Sequence, residues 1–266
     1  MVIFIFTISQ NMLKYLQGKK FMKNICLLLE YLGKNYSGYQ KQINAVSIQQ
    51  VLEDAIFEAL GERVDTFASG RTDAKVNALG QVVNFFTSSR IAPEKMAICI
   101  NRHLPQDIRV ISSREVPEDF NSRLSAKSKT YEYRLVYKRP LSVFEIDRAV
   151  SYSYTLDFDI LKRVLKKFEG EHDFSSFMAS GSNIKDKTIR TIYSFTFERS
   201  GDNVIFTIRG NGFLYNMVRI LIGTSLDIAR GVLDYSVIDK LLEGKNRKLA
   251  GKTAPAEGLY LKCVEY

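Results

Sequence analysis

The sequence predicts an α+β protein, built on a mostly antiparallel sheet covered on one side by helices. Three observations carry that expectation. Several segments alternate apolar and polar residues in the manner of strands. Others repeat apolar residues at helical spacing. The two kinds are intermixed with hairpin turns, without the strict strand–helix alternation that marks a parallel sheet.

The elements follow in order. A first strand spans Asn24–Tyr31, just after Met22. Ser47 and Gln50 have the spacing of a capping box. Behind them Ile48, Val51, Leu52, Ala55, Ile56, Ala59 and Leu60 form one apolar stripe that ends at Gly61. A second helix follows Pro93, and Pro105 closes the segment behind it. In Thr130–Tyr137 the residues Tyr131, Tyr133, Leu135 and Tyr137 share one face, with Glu132 and Arg134 on the other. Ile192–Glu198 places Tyr193, Phe195 and Phe197 on one face. It then turns through Ser200-Gly201-Asp202-Asn203 into Val204–Arg209, a hairpin. Helical patterns return at Leu156–Phe168, Phe213–Ala229 and Tyr235–Leu242, and a last strand covers Gly258–Glu265. Two halves, 22–124 and 125–266, meet near Ser122–Ser128, with no sequence repeat between them.

Residues 1–21 differ from the rest. They carry Lys14, Lys19 and Lys20 and no acidic residue, and Met12 and Met22 are both in frame. They read as a mispredicted start or a loose extension, with an extra helix packed on the body as the alternative. The apolar stretch Val2–Ile8 is too short for a membrane span and lacks the flanks of a signal peptide. A soluble cytoplasmic protein is expected.

Composition narrows the chemistry. The 266 residues hold 38 Lys and Arg against 29 Asp and Glu, a formal charge of +9. An excess of this size suits a phosphate-backbone partner, although solubility alone accounts for it as well. The three cysteines, Cys26, Cys99 and Cys263, are scattered, which argues against a disulfide framework. The two histidines, His103 and His172, lack metal-ligand spacing, so a zinc site is not expected. An enzyme of this composition would work with Asp, Tyr, Lys or Arg.

The most informative segment runs Ala68-Ser69-Gly70-Arg71-Thr72-Asp73-Ala74-Lys75-Val76-Asn77-Ala78-Leu79-Gly80-Gln81. An Asp beside an Arg in a small-residue loop can be held ionised and presented to a ligand. An Asx-turn is the simpler reading of Thr72-Asp73 alone.

This segment resembles the GRTDAGVHALGQV signature of the TruA family of tRNA pseudouridine synthases. The resemblance extends in order from Lys23 to the end. Tyr31–Gln40 resembles YDGTxFxGWQ, Leu104–Ile108 matches LPxDI, and Phe120–Arg123 with Ser125-Ala126 resembles FHARxSA. Lys129–Tyr133 matches KxYxY, and Gly212–Arg219 and Ala254–Leu261 complete the series.

The resemblance implies the pseudouridine synthase fold: two ferredoxin-like halves forming one mixed, mostly antiparallel sheet flanked by helices, with a central RNA-binding cleft. It implies a homodimer that acts on tRNA with neither metal nor organic cofactor. The reaction would isomerise uridine to pseudouridine in the anticodon stem-loop, at positions 38 to 40. By the same resemblance, Asp73 is the nucleophile, and Tyr131 stacks on the uracil and is a candidate for helping to remove the carbon-5 proton. Arg219 pairs with Asp73, and Leu259 floors the uracil site. Arg71 helps hold the target nucleotide out of its stem, with a structural salt bridge as its competing role. Two other readings are the same reaction on a different RNA, such as ribosomal RNA, and a catalytically idle RNA-binding factor.

The chain departs from the family pattern near this site. Lys75 and Asn77 stand in place of Gly and His, Asn121 and Ser122 in place of His and Ala, and Tyr39 in place of Trp. The change at Lys75 bears on the loop if that position needs a positive φ, or it adds a phosphate contact. These departures imply retained isomerase chemistry on a changed RNA-facing surface, as in a paralogue with a different or narrower RNA target.

Overall fold

The computed structural model describes residues 22–179, 187–244 and 246–266, so the expected extension 1–21 lies outside the described residues. The first half runs β1 (Lys23–Tyr31), α1 (Ile48–Leu60), β2 (Phe67–Ala68), β3 (Asn77–Thr87), α2 (Met96–Asn101) and β4 (Ile108–Val116). The second runs β5 (Ser128–Tyr137), β6 (Val150–Tyr152), α3 (Phe158–Lys167), β7 (Gly170–Asp173), β8 (Ile189–Ser200), β9 (Asn203–Gly210), α4 (Met217–Ala229), α5 (Val237–Gly244) and β10 (Leu259–Glu265).

One sheet holds them all, in the order β4-β1-β3-β10-β5-β9-β8-β7, with β2 beside β3 and β6 beside β5. Each half therefore repeats one topology, β4-β1-β3-β2 and β10-β5-β9-β8. The repeat is invisible in residue identities because a fold responds to which faces are buried, and many sequences meet the same pattern. Among the named strands only β3–β10 and β5–β6 pair in parallel. The β3–β10 seam joins the halves. β2 is two residues long and covers β3 only at Asn84 and Val83. The same edge is left open at Asn77 and Ala78, where Tyr260 and Leu261 of β10 dock.

Local chemistry explains the element boundaries. The Ser47 side chain accepts the Gln50 N–H and starts α1. The Gln50 amide turns to Asp54 at 2.7 Å, so only one half of the expected capping box forms. Gly61 ends the helix at φ 70°, returning its N–H to the Phe57 carbonyl.

Two expectations shift. A β-bulge between Ile192 and Ser194 takes Tyr193 out of the alternation with Phe195 and Phe197. Tyr193 is 45% exposed, with the Arg209 guanidinium over its ring. Helix α4 starts at Met217 instead of Phe213, because Asn216 adopts a left-handed φ of 59°. Asn tolerates that conformation better than most residues. Phe213 stays in the preceding loop, its ring edge-on to Tyr131 at 5.2 Å.

Helix α4 is buried at every position except Arg219. A Cβ on Gly223 would lie 1.7 Å from the Lys252 carbonyl oxygen, so glycine there lets the chain before β10 cross the helix in contact. A single apolar core on the helical side runs through both halves. A small cluster on the opposite side, Cys26, Val82 and Val116, is closed by Phe120 and Tyr266. The three cysteines are free, and no described helix is long and apolar enough to cross a membrane.

Candidate active site

The seam gathers the predicted residues. Because β3 and β10 run parallel, the loop before β3 and the loop before β10 emerge at the same end. The first carries Asp73 and the second leads into Leu259. Strand β5 lies on the far side of β10, with Tyr131 opposite Leu261 and Tyr133 opposite Leu259. Helix α4 adds Arg219. Asp73, Tyr131, Arg71, Arg219 and Leu259 all line one cleft of about 960 Å³ between the halves.

The nucleophile loop is held from behind. The Tyr31 hydroxyl and Thr72 Oγ1 lie 2.7 Å apart, and the Tyr39 N–H donates to the Thr72 carbonyl at 3.0 Å. Lys75 donates its N–H to the Tyr36 carbonyl, and Val76 returns its own to the Asp73 carbonyl. A Cβ on Gly33 would come within 2.2 Å of the Val76 carbonyl oxygen, so the loop rests directly on the backbone after β1.

Arg219 is fixed before it meets Asp73. Its Nε donates to the Ala254 carbonyl at 2.7 Å and its Nη1 to Asn216 Oδ1 at 2.7 Å. The same Nη1 lies 3.8 Å from Asp73 Oδ2, an ion pair without a direct hydrogen bond. Burial pushes the Asp73 carboxyl up, and the Arg219 charge opposes that shift without cancelling it. Tyr131 is buried, and its phenol is held well above the ordinary range by burial, then by the charges of Tyr31 and Asp73. At rest it is a neutral phenol. Leu259 is buried at the start of β10. Arg71 is exposed at the cleft and makes no ion pair among the described residues.

The departures from the family pattern fall mostly on the scaffold of these loops. Asn77 is fully buried: its Oδ1 accepts the Gly33 N–H at 2.8 Å, and its Nδ2 donates to the Glu257 carbonyl at 2.9 Å and the Asp147 carbonyl at 3.4 Å. It ties together the segments on which the nucleophile loop rests. Asn77→Ala is expected to lower the unfolding free energy by roughly 2–3 kcal/mol in urea titration, since it strands buried backbone groups. Ser122 is also buried, donating its N–H and hydroxyl to Asn84 Oδ1, and Tyr39 is 2% exposed. Asn121 caps its own turn by accepting the Arg123 and Leu124 N–H groups.

Lys75 is exposed and adopts φ 65°, the left-handed region where its family counterpart is glycine. Lys75→Gly is expected to raise the unfolding free energy by about 1 kcal/mol by relieving that strain. Lys75→Ala, tested alongside in the same titration, should give no gain.

Sequence reasoning assigned no role to Lys129, Tyr31 or Asn216. Lys129 lines the cleft and donates to the Ser69 carbonyl at 2.6 Å. The contacts of Tyr31 and Lys129 each join a strand to the distant nucleophile loop, and that of Asn216 joins it to Arg219; periodicity carries no signal for them.

A carboxylate facing an anchored arginine, inside a basic cleft floored by aromatic and aliphatic side chains, has the makings of an enzyme for a planar group on an anionic chain. Comparison with known proteins is consistent with that class. The family model for tRNA pseudouridine synthase matches residues 27–124 and 164–266. The tRNA pseudouridine synthase A of Acetivibrio thermocellus is 44% identical over 245 residues, covering 92% of this chain and 100% of its own. That of Clostridium acetobutylicum is 40% identical over the same shares. The chain belongs to the tRNA pseudouridine synthase family. Among solved structures, the archaeal box H/ACA sRNP Nop10–Cbf5 complex overlaps 77% of this chain and 43% of that one, at a TM-score of 0.34 and 14% identity.

Proposed function

We propose that this chain isomerises uridine to pseudouridine in tRNA, in the anticodon stem-loop at positions 38 to 40, with Asp73 as the nucleophile. The observation that carries the reading is the Asp73 carboxylate, set 3.8 Å from an arginine that two other hydrogen bonds hold in place. A buried carboxylate needs such a partner to stay ionised, and only the ionised form attacks.

In the reaction the bond between N1 of uracil and C1′ of ribose breaks, the base turns, and C5 bonds to C1′. C5 loses its proton and N1 gains one, so the composition is unchanged. Asp73 adds covalently, to the base or to the sugar carbon, and is released when the new bond is complete. Tyr131 packs on the uracil, and its phenol beside Asp73 is placed to relay the carbon-5 proton. Leu259 floors the pocket and excludes water. Arg71 occupies the space that the flipped nucleotide vacates, which offsets part of the few kcal/mol that extrusion costs. The formal charge of +9 serves the RNA backbone. The family likeness extends this reading to a homodimer working in the cytoplasm.

The test is to incubate the protein with full-length tRNA transcripts in which the uridines at 38, 39 and 40 are replaced by cytidine singly and together, and separately with ribosomal RNA, then to map pseudouridine at every position. The reading expects product at one or more of these positions and none in the triple replacement. Product elsewhere in tRNA, or only in ribosomal RNA, would overturn the assignment of substrate.

A further inference from the structure

Two cations, Lys129 and Arg123, line one wall of the cleft, and Arg190 stands beside them, since Lys129 pairs with Gly210 and Gly210 with Ile192, two residues along β8 from Arg190. Lys129 lies on β5, two residues before Tyr131 and on the same strand face, which puts it about 6–7 Å along the strand from the uracil-stacking ring. Its ammonium makes one hydrogen bond among the described residues, to the Ser69 carbonyl, leaving two N–H groups free. Arg123, from the loop before β5, lines the same cleft and is exposed. Arg190, on β8, folds back on the Lys187 and Ile189 carbonyls through Nη1, keeping its other nitrogens free of described partners. Burial first, then the charges of Arg123 and Arg190, pull the Lys129 ammonium down to about 8.

None of the three has a carboxylate within ion-pair distance among the described residues, although the structure pairs many of its other cations. Two glycines lie against them. A Cβ on Gly70 would lie 3.2 Å from Lys129 Nζ, and one on Gly212 would lie 3.6 Å from Arg190 Nε. Partly desolvated like charges repel, and such a cluster is relieved by an anion that each can share.

We propose that Lys129, Arg123 and Arg190 form an anion subsite that takes one phosphodiester of the RNA next to the uridine in the Asp73 pocket. The proposal rests on the tRNA reading above and specifies how that RNA is registered. A phosphodiester offers two unesterified oxygens and a single charge, which matches the free N–H groups of Lys129 and the two guanidinium groups beside it. Fixing a phosphate one strand step from the stacking ring sets which nucleotide can reach Asp73. Arg71 and Arg219 remain free for their own roles.

The test couples a change in the protein to a change in the RNA. Binding of a tRNA stem-loop is measured for the wild type, Lys129→Gln and Lys129→Arg, with each backbone linkage near the target uridine replaced in turn by a neutral methylphosphonate. Lys129→Gln is expected to weaken binding of unmodified RNA about tenfold and to lower the slope of log affinity against log salt by about one. One linkage, when neutralised, should cost the wild type about tenfold and Lys129→Gln nothing further. Lys129→Arg should bind within about twofold of wild type and remain sensitive to that linkage. Arg190→Gln, at a half-buried position on β8, should lose sensitivity at the same linkage. Equal losses in wild type and variants at every linkage, or an unchanged salt slope in Lys129→Gln, would overturn the proposal. The readout is binding, so RNA that is bound with this coupling but never isomerised would count against the catalytic reading and still support the subsite.

Discussion

Replacing Asp73 by asparagine abolishes isomerisation, by at least about 10⁴-fold, and at the same time raises the melting temperature at neutral pH. The first effect follows from the loss of a covalent nucleophile, the kind of change with the largest kinetic penalties known for single residues. The second follows from burial. The Asp73 carboxyl is pushed above its ordinary range, and Arg219 only partly opposes that. A carboxyl whose folded pKa is raised favours the folded state at low pH, where it is neutral. That advantage is lost as pH rises through the folded pKa and the buried group must ionise. Asparagine is neutral throughout, so the variant should melt above wild type at pH 7, with the difference shrinking toward zero below the ordinary carboxylate range. Differential scanning calorimetry at pH 7 and pH 3.5 checks both halves. By the same sign, the acidic limb of the wild-type rate profile lies above the ordinary carboxylate range, with activity falling as Asp73 is protonated.

The second large effect belongs to Arg219. Arg219→Gln is expected to reduce the rate about 10²–10³-fold at neutral pH, the scale of losing one positioned charge at a reacting group. The loss should shrink as pH is raised, because without the cation Asp73 ionises only at higher pH. A merely structural role would lower the rate equally across pH. Arg219 also holds the Ala254 carbonyl and Asn216. Its removal therefore loosens the chain leading into Leu259, and some loss of stability accompanies the shifted pH profile. Single-turnover rates between pH 6 and pH 9, with wild type as reference, separate the two contributions.

How far these features could be read in advance depended on the range of the interaction. Helix α1 was legible because Ser47, the apolar stripe and Gly61 are all local signals. The tyrosine face of β5 was legible for the same reason. Tyr193 was not, since the bulge that turns it outward is set by pairing with β9, and alternation alone puts it inward. The start of α4 was read too early because Phe213 and Leu214 continue the apolar pattern, while the left-handed Asn216 breaks the backbone there. The duplicated topology leaves no trace in residue identities because many sequences satisfy the same pattern of buried faces, and the two-residue β2 adds no strand signal of its own. Within the site, Asp73, Arg71, Tyr131, Arg219 and Leu259 were picked out through ordered motifs, and the fold brings them to one cleft. By the resemblance, the departures at Asn77 and Ser122 imply a changed RNA-facing surface. Both side chains are instead buried and brace neighbouring loops. Lys129 shows the limit most plainly: a lysine two residues from Tyr131 reads as a solvated charge until the Ser69 carbonyl and two arginines are placed around it.

The measurement that bears most directly on the central claim is tritium release from tRNA labelled at carbon 5 of uridine, prepared from cells lacking this gene. Forming the C5–C1′ bond expels that hydrogen, so each turnover is counted at the reacting atom. Wild-type protein should release tritium from the tRNA fraction, while Asp73→Asn, folded and still binding tRNA, releases none. Release by Asp73→Asn at the wild-type rate would contradict the role assigned to Asp73, and no release by the wild type would contradict the isomerisation itself.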